Sequence, residues 1–179
     1  MKRKILFLIA LLVTHEVTLA GEAEAILKAS AGTWEGELYY LDYQSGQRFG
    51  IPMRVEASVT PDGATLVRRL IFTDPGVLVH AINLATIDRD TGELVESYFR
   101  EGSGELSRSS VVSAEYTSET EWRLVYELDG IDDGKAARIR HTVVRDGDGL
   151  NSRKEVRFVD GDLKYLERNG SELKLVSSD

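Results

Sequence analysis

The chain has 179 residues, no cysteine and a formal charge of -8, from 22 basic and 30 acidic side chains. Residues 1–20 carry a net positive charge, so the other 159 residues carry -10. This acidic body argues against nucleic-acid binding and against a polybasic membrane patch, because both need a basic face. Without cysteine there are no disulfides, thiol nucleophiles or thiolate zinc sites, and core packing alone must hold the fold.

The first predicted element is an export signal over residues 1–20. Three basic side chains open the chain, and residues 5–13 form an apolar run of nine. That run is shorter than the roughly 20 residues needed to span a bilayer. Ala20 is a small residue of the kind that precedes a signal-peptidase cleavage site, so cleavage is expected between Ala20 and Gly21. The alternative is that the segment is not cleaved and serves as a membrane anchor. We therefore expect a periplasmic or secreted protein, cleaved near Ala20, whose residues 21–179 form a single domain without a membrane segment.

A short helix is expected next, over residues 22–31 (EAEAILKASA). Ala25, Ile26 and Ala29 would share one side of this helix, because residues three and four apart are neighbours on a helical surface. The remainder of the chain shows almost no helical pattern. We expect this helix to cover one end of the structure that follows it.

Ten strands are predicted from the alternation of apolar or β-branched runs with Gly, Pro and Asp turns. Their expected starts are Thr33, Arg48, Ala64, Val77, Glu93, Glu105, Glu121, Lys135, Leu150 and Asp162. A turn at Asn169-Gly170 could add a short strand over residues 172–176. Ten long strands joined by hairpins would leave two exposed edges in a flat sheet, and closure removes both. The sequence therefore predicts an all-β fold, a closed antiparallel up-and-down β-barrel of about ten strands.

Candidate pocket residues come from the period-2 alternation of the first and eighth strands. Apolar side chains recur on one face of each strand, and that face is expected to point inward. The expected lining is Leu38, Tyr40, Ile139, His141, Val143 and Arg145. The fourth strand, residues 77–87, is almost continuously apolar, so its two faces cannot be separated from sequence.

Residues 32–37 (GTWEGE), preceded by a short helix and followed only by hairpins, resemble the opening of a calycin. This superfamily contains the lipocalins, the fatty-acid-binding proteins and the nitrobindin-like haem barrels. The resemblance implies a barrel with a cavity for a small apolar or amphipathic molecule. It also implies that Trp34 closes one barrel end, packed against a basic residue of a late strand, for which Arg168 and Arg157 are the candidates.

Histidine chemistry is limited, because His80 and His141 are the only histidines after residue 20. A multi-histidine metal site is therefore excluded, and we expect no metal. His141 lies between Ile139 and Val143 on the inward face. It could be a haem ligand, a general base or simply a hydrogen-bonded interior residue. We expect no cofactor, with haem on His141 as the alternative.

Residues 135–168 are locally basic, with nine basic and six acidic side chains. In fatty-acid-binding barrels, which this chain resembles, arginines of late strands meet the ligand carboxylate. Arg145 is the inward candidate for that role, because it shares the face of His141. The alternative is that these cations pair with acidic neighbours across the sheet and face water.

The expected function is non-catalytic binding of a small hydrophobic or amphipathic molecule inside the barrel of a monomeric protein. Three alternatives stay open. They are a haem barrel, a hydrolase or isomerase that uses interior acids near His141, and a structural domain whose interior is filled.

Overall fold

The computed structural model describes residues 19–42, 45–161 and 163–177. One helix, α1, covers residues 19–29, and it is not long and apolar enough to cross a membrane. The strands are β1 (Gly32–Leu41), β2 (Arg48–Val59), β3 (Leu66–Asp74), β4 (Val77–Ile87), β5 (Leu94–Arg100), β6 (Ser103–Ser118), β7 (Glu121–Asp132), β8 (Lys135–Asp146), β9 (Gly149–Phe158) and β10 (Leu166–Ser177).

The ten strands form one closed barrel in which sequential neighbours pair and β1 closes against β10. All ten pairings are antiparallel. Along the seam, Trp34 lies opposite Leu175 and Tyr40 lies opposite Asn169. The predicted closed up-and-down barrel with a short N-terminal helix is confirmed. The first nine strands begin within two residues of their predicted starts, because Gly and Asp fix the hairpins between them.

The last strand departs from the prediction. The expected start at Asp162 lies outside the described residues, and β10 begins at Leu166. The Asn169-Gly170 turn and the extra strand after it are wrong, because β10 runs through both residues. A Cβ on Gly170 would meet the backbone oxygen of Ser152 and, at 2.6 Å, the hydroxyl of Tyr39. Glycine is therefore used here for close packing within a strand and not for a turn.

Helix α1 packs against the barrel end where β1 begins. Its buried residues Ala23, Ile26 and Leu27 belong to the main core, and Ser30, which follows the helix, is also buried. The predicted helix at one barrel end is present, but it covers residues 19–29 instead of 22–31. Of its predicted face, Ile26 is buried and Ala29 packs against the core, whereas Ala25 is only half-buried. The buried stripe follows the three- and four-residue spacing from Ala23.

The two faces of β4, which sequence could not separate, are distinct in the structure. Val79, Ala81 and Asn83 are buried, whereas the intervening His80 and Ile82 are exposed. His80 therefore lies on the outer surface of the barrel and has no place among the interior groups.

Candidate functional site

The closed end of the barrel is built around Trp34. Its indole is fully buried, and Nε1 donates to the backbone oxygen of Ser30 at 3.2 Å. The guanidinium of Arg145 lies 4.9 Å from the centre of the indole ring, a cation–π geometry. The expected cationic partners Arg168 and Arg157 are thus wrong, and the partner is Arg145 of β8.

Arg145 points inward as the alternation predicted, but its guanidinium already has protein partners. Nη1 donates to the backbone oxygen of Ala29 at 2.6 Å, and Nε donates to that of Gly147 at 3.1 Å. The first bond meets a carbonyl at the C-terminal end of α1, where the helix dipole favours a cation. Arg145 therefore attaches the helix to the barrel. Its predicted role as the residue that contacts a ligand gains no support from these hydrogen bonds and stays a prediction.

A cavity of about 180 Å³ lies inside the barrel next to this closed end. Its apolar lining is Trp34, Met53, Val55, Ala57, Leu70, Val143, Leu150 and Leu173. Its polar lining is Ser30, Arg68, Tyr126, His141, Ser152 and Ser171. The structure thus places two expected pocket residues, His141 and Val143, around one interior space together with Trp34, which was expected to close the barrel end.

The other expected pocket residues do not line this cavity. Leu38 packs with Phe72 and Val79 in a cluster that adjoins the cavity through Met53 and Leu70. Ile139 packs with Val156 in a third cluster. Tyr40 is 41% exposed, close to the barrel end opposite α1. The alternation of a strand could not say how far along the barrel axis the cavity extends.

His141 is the central polar group of the cavity wall. Its imidazole stacks on Tyr126 with ring centroids 5.0 Å apart and an interplanar angle of 11°. Burial lowers the pKa of His141 to about 4, and the positive charge of Lys154 acts in the same direction. The ring is therefore neutral at pH 7, with one nitrogen as donor and the other as acceptor. Among the described residues, neither nitrogen has a hydrogen-bond partner.

A polar network that sequence reasoning missed lies across the interior from His141. Arg68 Nη1 donates to Asn83 at 2.7 Å and forms an ion pair with Glu96 at 3.2 Å. Burial, with Glu96 as the next cause, raises the pKa of the Tyr126 phenol. The period-2 alternation of β3 could have identified Arg68 as an inward residue. Arg68 shares a strand face with Leu66 and Phe72, and the series from Leu66 to Phe72 is otherwise apolar.

A second interior ion-pair cluster lies toward the end opposite α1. Asp132 accepts from Lys154 Nζ at 3.0 Å and pairs with Arg168 Nη2 at 2.7 Å. Lys154 lies opposite His141 in the β8–β9 register and so shares its face. Arg168 lies toward the barrel end opposite Trp34, because β10 runs antiparallel to β1, and its partner there is Asp132.

Two other cations of the basic segment over residues 135–168, Arg138 and Arg140, lie on the outer surface of the barrel. Glu127 accepts from Arg138 at 2.9 Å, from Arg140 at 2.7 Å and from the hydroxyl of Tyr165 at 3.0 Å. These contacts favour the cross-sheet alternative for Arg138 and Arg140. Within the described ranges, no group of three or more His, Asp or Glu side chains could hold a metal ion.

The fold and interior define a ten-strand antiparallel barrel, closed at one end by a helix and holding one small, mostly apolar cavity beside a neutral histidine. A similar solved structure is "Crystal Structure of Rv2717c from M. tuberculosis", with a TM-score of 0.59 and 14% sequence identity. The match covers 83% of this chain and 94% of that one. Neither a family model nor a curated protein matches the sequence. The calycin resemblance is thus supported for the fold, and the particular superfamily stays a prediction.

Proposed function

We propose that this protein is an exported, non-catalytic barrel that binds a small hydrophobic or amphipathic molecule in the interior cavity. The observation that carries the proposal is the cavity of about 180 Å³ inside the barrel, lined by side chains of several strands and of the closed end. Protein interiors are close-packed, so a space of this size inside a barrel is a place where a small molecule can pack against side chains of several strands.

The size of the cavity restricts the occupant. An apolar cavity of about 150 Å³ holds benzene, and pockets for drug-sized ligands run from about 300 to 1,000 Å³. At 180 Å³ the cavity suits a compact molecule. A long-chain fatty acid does not fit it, and the cation expected to bind the carboxylate, Arg145, is held by α1.

The two other chemical alternatives gain less support. A neutral His141 has a nitrogen that could bind iron, but a haem macrocycle does not fit 180 Å³. Two carboxylates do face the interior, Glu96 and Asp132, and each is bound to cations. A neighbouring cation favours the charged form of a carboxyl group, so neither Glu96 nor Asp132 is suited to act as a general acid. The proposal therefore includes no catalytic step.

Ligand binding can be tested with benzene, indole and phenol as probes of the wild-type protein. We expect a concentration-dependent rise in the unfolding midpoint, because a ligand that binds only the folded state stabilises it. Ala57 lines the cavity, so Ala57→Leu should fill part of it and abolish the rise. Ala136 is exposed on β8, and the matched Ala136→Leu should retain it. Equal responses from both variants would contradict binding in this cavity.

Export is a separate part of the proposal. It rests on the basic start, the apolar residues 5–13 and Ala20. The intact mass of protein recovered from its own host should correspond to a chain that begins at or near Gly21. A mass that includes Met1 would contradict cleavage.

A further inference from the structure

We propose that the occupant of the cavity is an uncharged, planar molecule about the size of a single aromatic ring system, with one polar group hydrogen-bonded to His141. This inference rests on the proposed function and adds the chemical class of the ligand. Three features of the cavity carry it. They are the compensation of its charges, the unused hydrogen-bonding capacity of one side chain, and the aromatic walls.

The charges near the cavity are compensated within the protein. Arg68 is bound by Asn83 at 2.7 Å and by Glu96 at 3.2 Å. Arg145 is bound by the carbonyl oxygen of Ala29 at 2.6 Å. Lys154, which lies opposite His141, is bound by Asp132 at 3.0 Å. An anionic ligand would lose its hydration without gaining a cation that lacks a partner, and this cost favours a neutral molecule.

The hydrogen-bonding capacity of the cavity wall is largely satisfied except at His141. The hydroxyls of Ser152 and Ser171 bond each other at 2.8 Å, and that of Ser30 donates to the carbonyl oxygen of Ile26 at 2.8 Å. His141 lines the cavity with two ring nitrogens, and no described residue forms a hydrogen bond with either of them. A ligand group that donates to or accepts from the imidazole would therefore add a hydrogen bond to this wall.

The walls beside His141 favour a flat ligand. Trp34 and Tyr126 both line the cavity, and the Tyr126 ring lies almost parallel to the imidazole, at 11°. Aromatic faces and edges attract other rings in offset or edge-on arrangements. Met53 adds a polarizable sulfur to the same lining, which can contact an aromatic ring.

Three probes of similar size separate these features by isothermal titration calorimetry at pH 7.5. Phenol carries one polar group, benzene carries none, and benzoate carries a charge. We expect phenol to bind the wild type about 10-fold more tightly than benzene, the upper range for one hydrogen bond. We expect benzoate to bind more weakly than either.

Two variants assign the preference to one side chain. His141→Phe keeps an aromatic ring on Tyr126 and removes both nitrogens, so the preference for phenol over benzene should disappear. His80→Phe makes the same change at an exposed position outside the barrel and should preserve it. In the wild type, NMR signals of the His141 ring nitrogens should shift with phenol and not with benzene, a readout that needs no substitution.

Each result has a defined meaning. Equal binding of phenol and benzene, or an unchanged preference in His141→Phe, would overturn the inference and leave the proposed function intact. Tighter binding of benzoate would also overturn it and would indicate an anion site. Failure of phenol, benzene and benzoate alike to bind the wild type would overturn the proposed function as well.

Discussion

His141 shows how one interior side chain couples the cavity to pH. Burial and the charge of Lys154 both disfavour the imidazolium, so the pKa falls from an ordinary 6.5 to about 4. The other ring packed on it, Tyr126, has a raised pKa and stays neutral throughout this range. In the folded protein the imidazole therefore stays neutral down to about pH 4.

We expect stability to fall as the pH falls through this window. The unfolded chain binds a proton on this histidine near pH 6.5, whereas the folded protein resists it until about pH 4. The contribution of neutral His141 to the free energy of unfolding is thus fully present above pH 6.5. It falls by about 3 kcal/mol as the pH decreases from 6.5 to 4. Urea unfolding of wild type and His141→Phe at pH 7.5, 5.5 and 4.5 should show a smaller decline in the variant. The exposed His80→Phe should decline like the wild type.

The two tryptophans of the closed end provide a second comparison. Trp34 Nε1 donates to Ser30, whereas Trp122 Nε1 is buried without a partner among the described groups. Trp34→Phe leaves a buried carbonyl with one bond fewer and should cost about 1–3 kcal/mol more than Trp122→Phe, which removes an unsatisfied donor. Urea unfolding at pH 7.5 measures both losses. A larger loss for Trp122→Phe would contradict this assignment.

At the scale of elements, α1 joins the barrel through its C-terminal end as well as through its apolar stripe. Ala23 and Ile26 are buried in the main core, and the oxygen of Ala29 accepts from Arg145. This bond links the helix to β8, which lies distant in sequence. The helix is therefore a packed part of the barrel core and not only a cover.

Replacement of Arg145 by methionine should loosen this attachment. The variant keeps a long apolar side chain but loses a charge-assisted bond and the contact with Trp34, at a cost of about 2–4 kcal/mol. Hydrogen exchange of the α1 amides should accelerate more than that of β8. Arg89 pairs with Glu24 of the helix from an exposed position, so Arg89→Met should change little. Equal effects of the two substitutions would contradict a specific role for Arg145.

The strands were predictable because the turns are encoded locally, whereas the cavity was not. Alternation placed His141 and Val143 correctly on the inner face. It missed Arg68, because an arginine in an apolar series is ordinarily exposed and its partner Glu96 lies on a different strand. Asn169-Gly170 was misread because a glycine needed for close packing has the same appearance in sequence as a glycine needed for a turn.

For the molecule as a whole, the seam between β1 and β10 decides whether the barrel is closed. Gly36 lies in this seam opposite Leu173. A Cβ at Gly36 would fall on the backbone oxygen of Glu172 and would lie 2.9 Å from the Cα of Leu173. Both atoms belong to the backbone of β10, which can give way only if the strands separate.

Gly36→Ala should therefore destabilise the barrel by several kcal/mol, within the range of severe single substitutions. Amides of β1 and β10 should lose protection from hydrogen exchange before those of β7 and β8. Gly130→Ala is the matched control in another strand, because its Cβ would meet only the flexible tip of Ile139, at 3.0 Å. A Gly36→Ala protein as stable as Gly130→Ala would contradict the packing of this seam.

The same seam has a consequence for the order of assembly. The first strand to leave the ribosome needs the last strand as its neighbour, so every incomplete chain is an open sheet with an unsatisfied edge at β1. Such edges are templates for pairing with other chains, and contacts between distant parts of a sequence form slowly. A chain that ends before Leu166 should therefore associate with itself, whereas a circular permutant that joins the two ends and opens at the β5–β6 hairpin should fold.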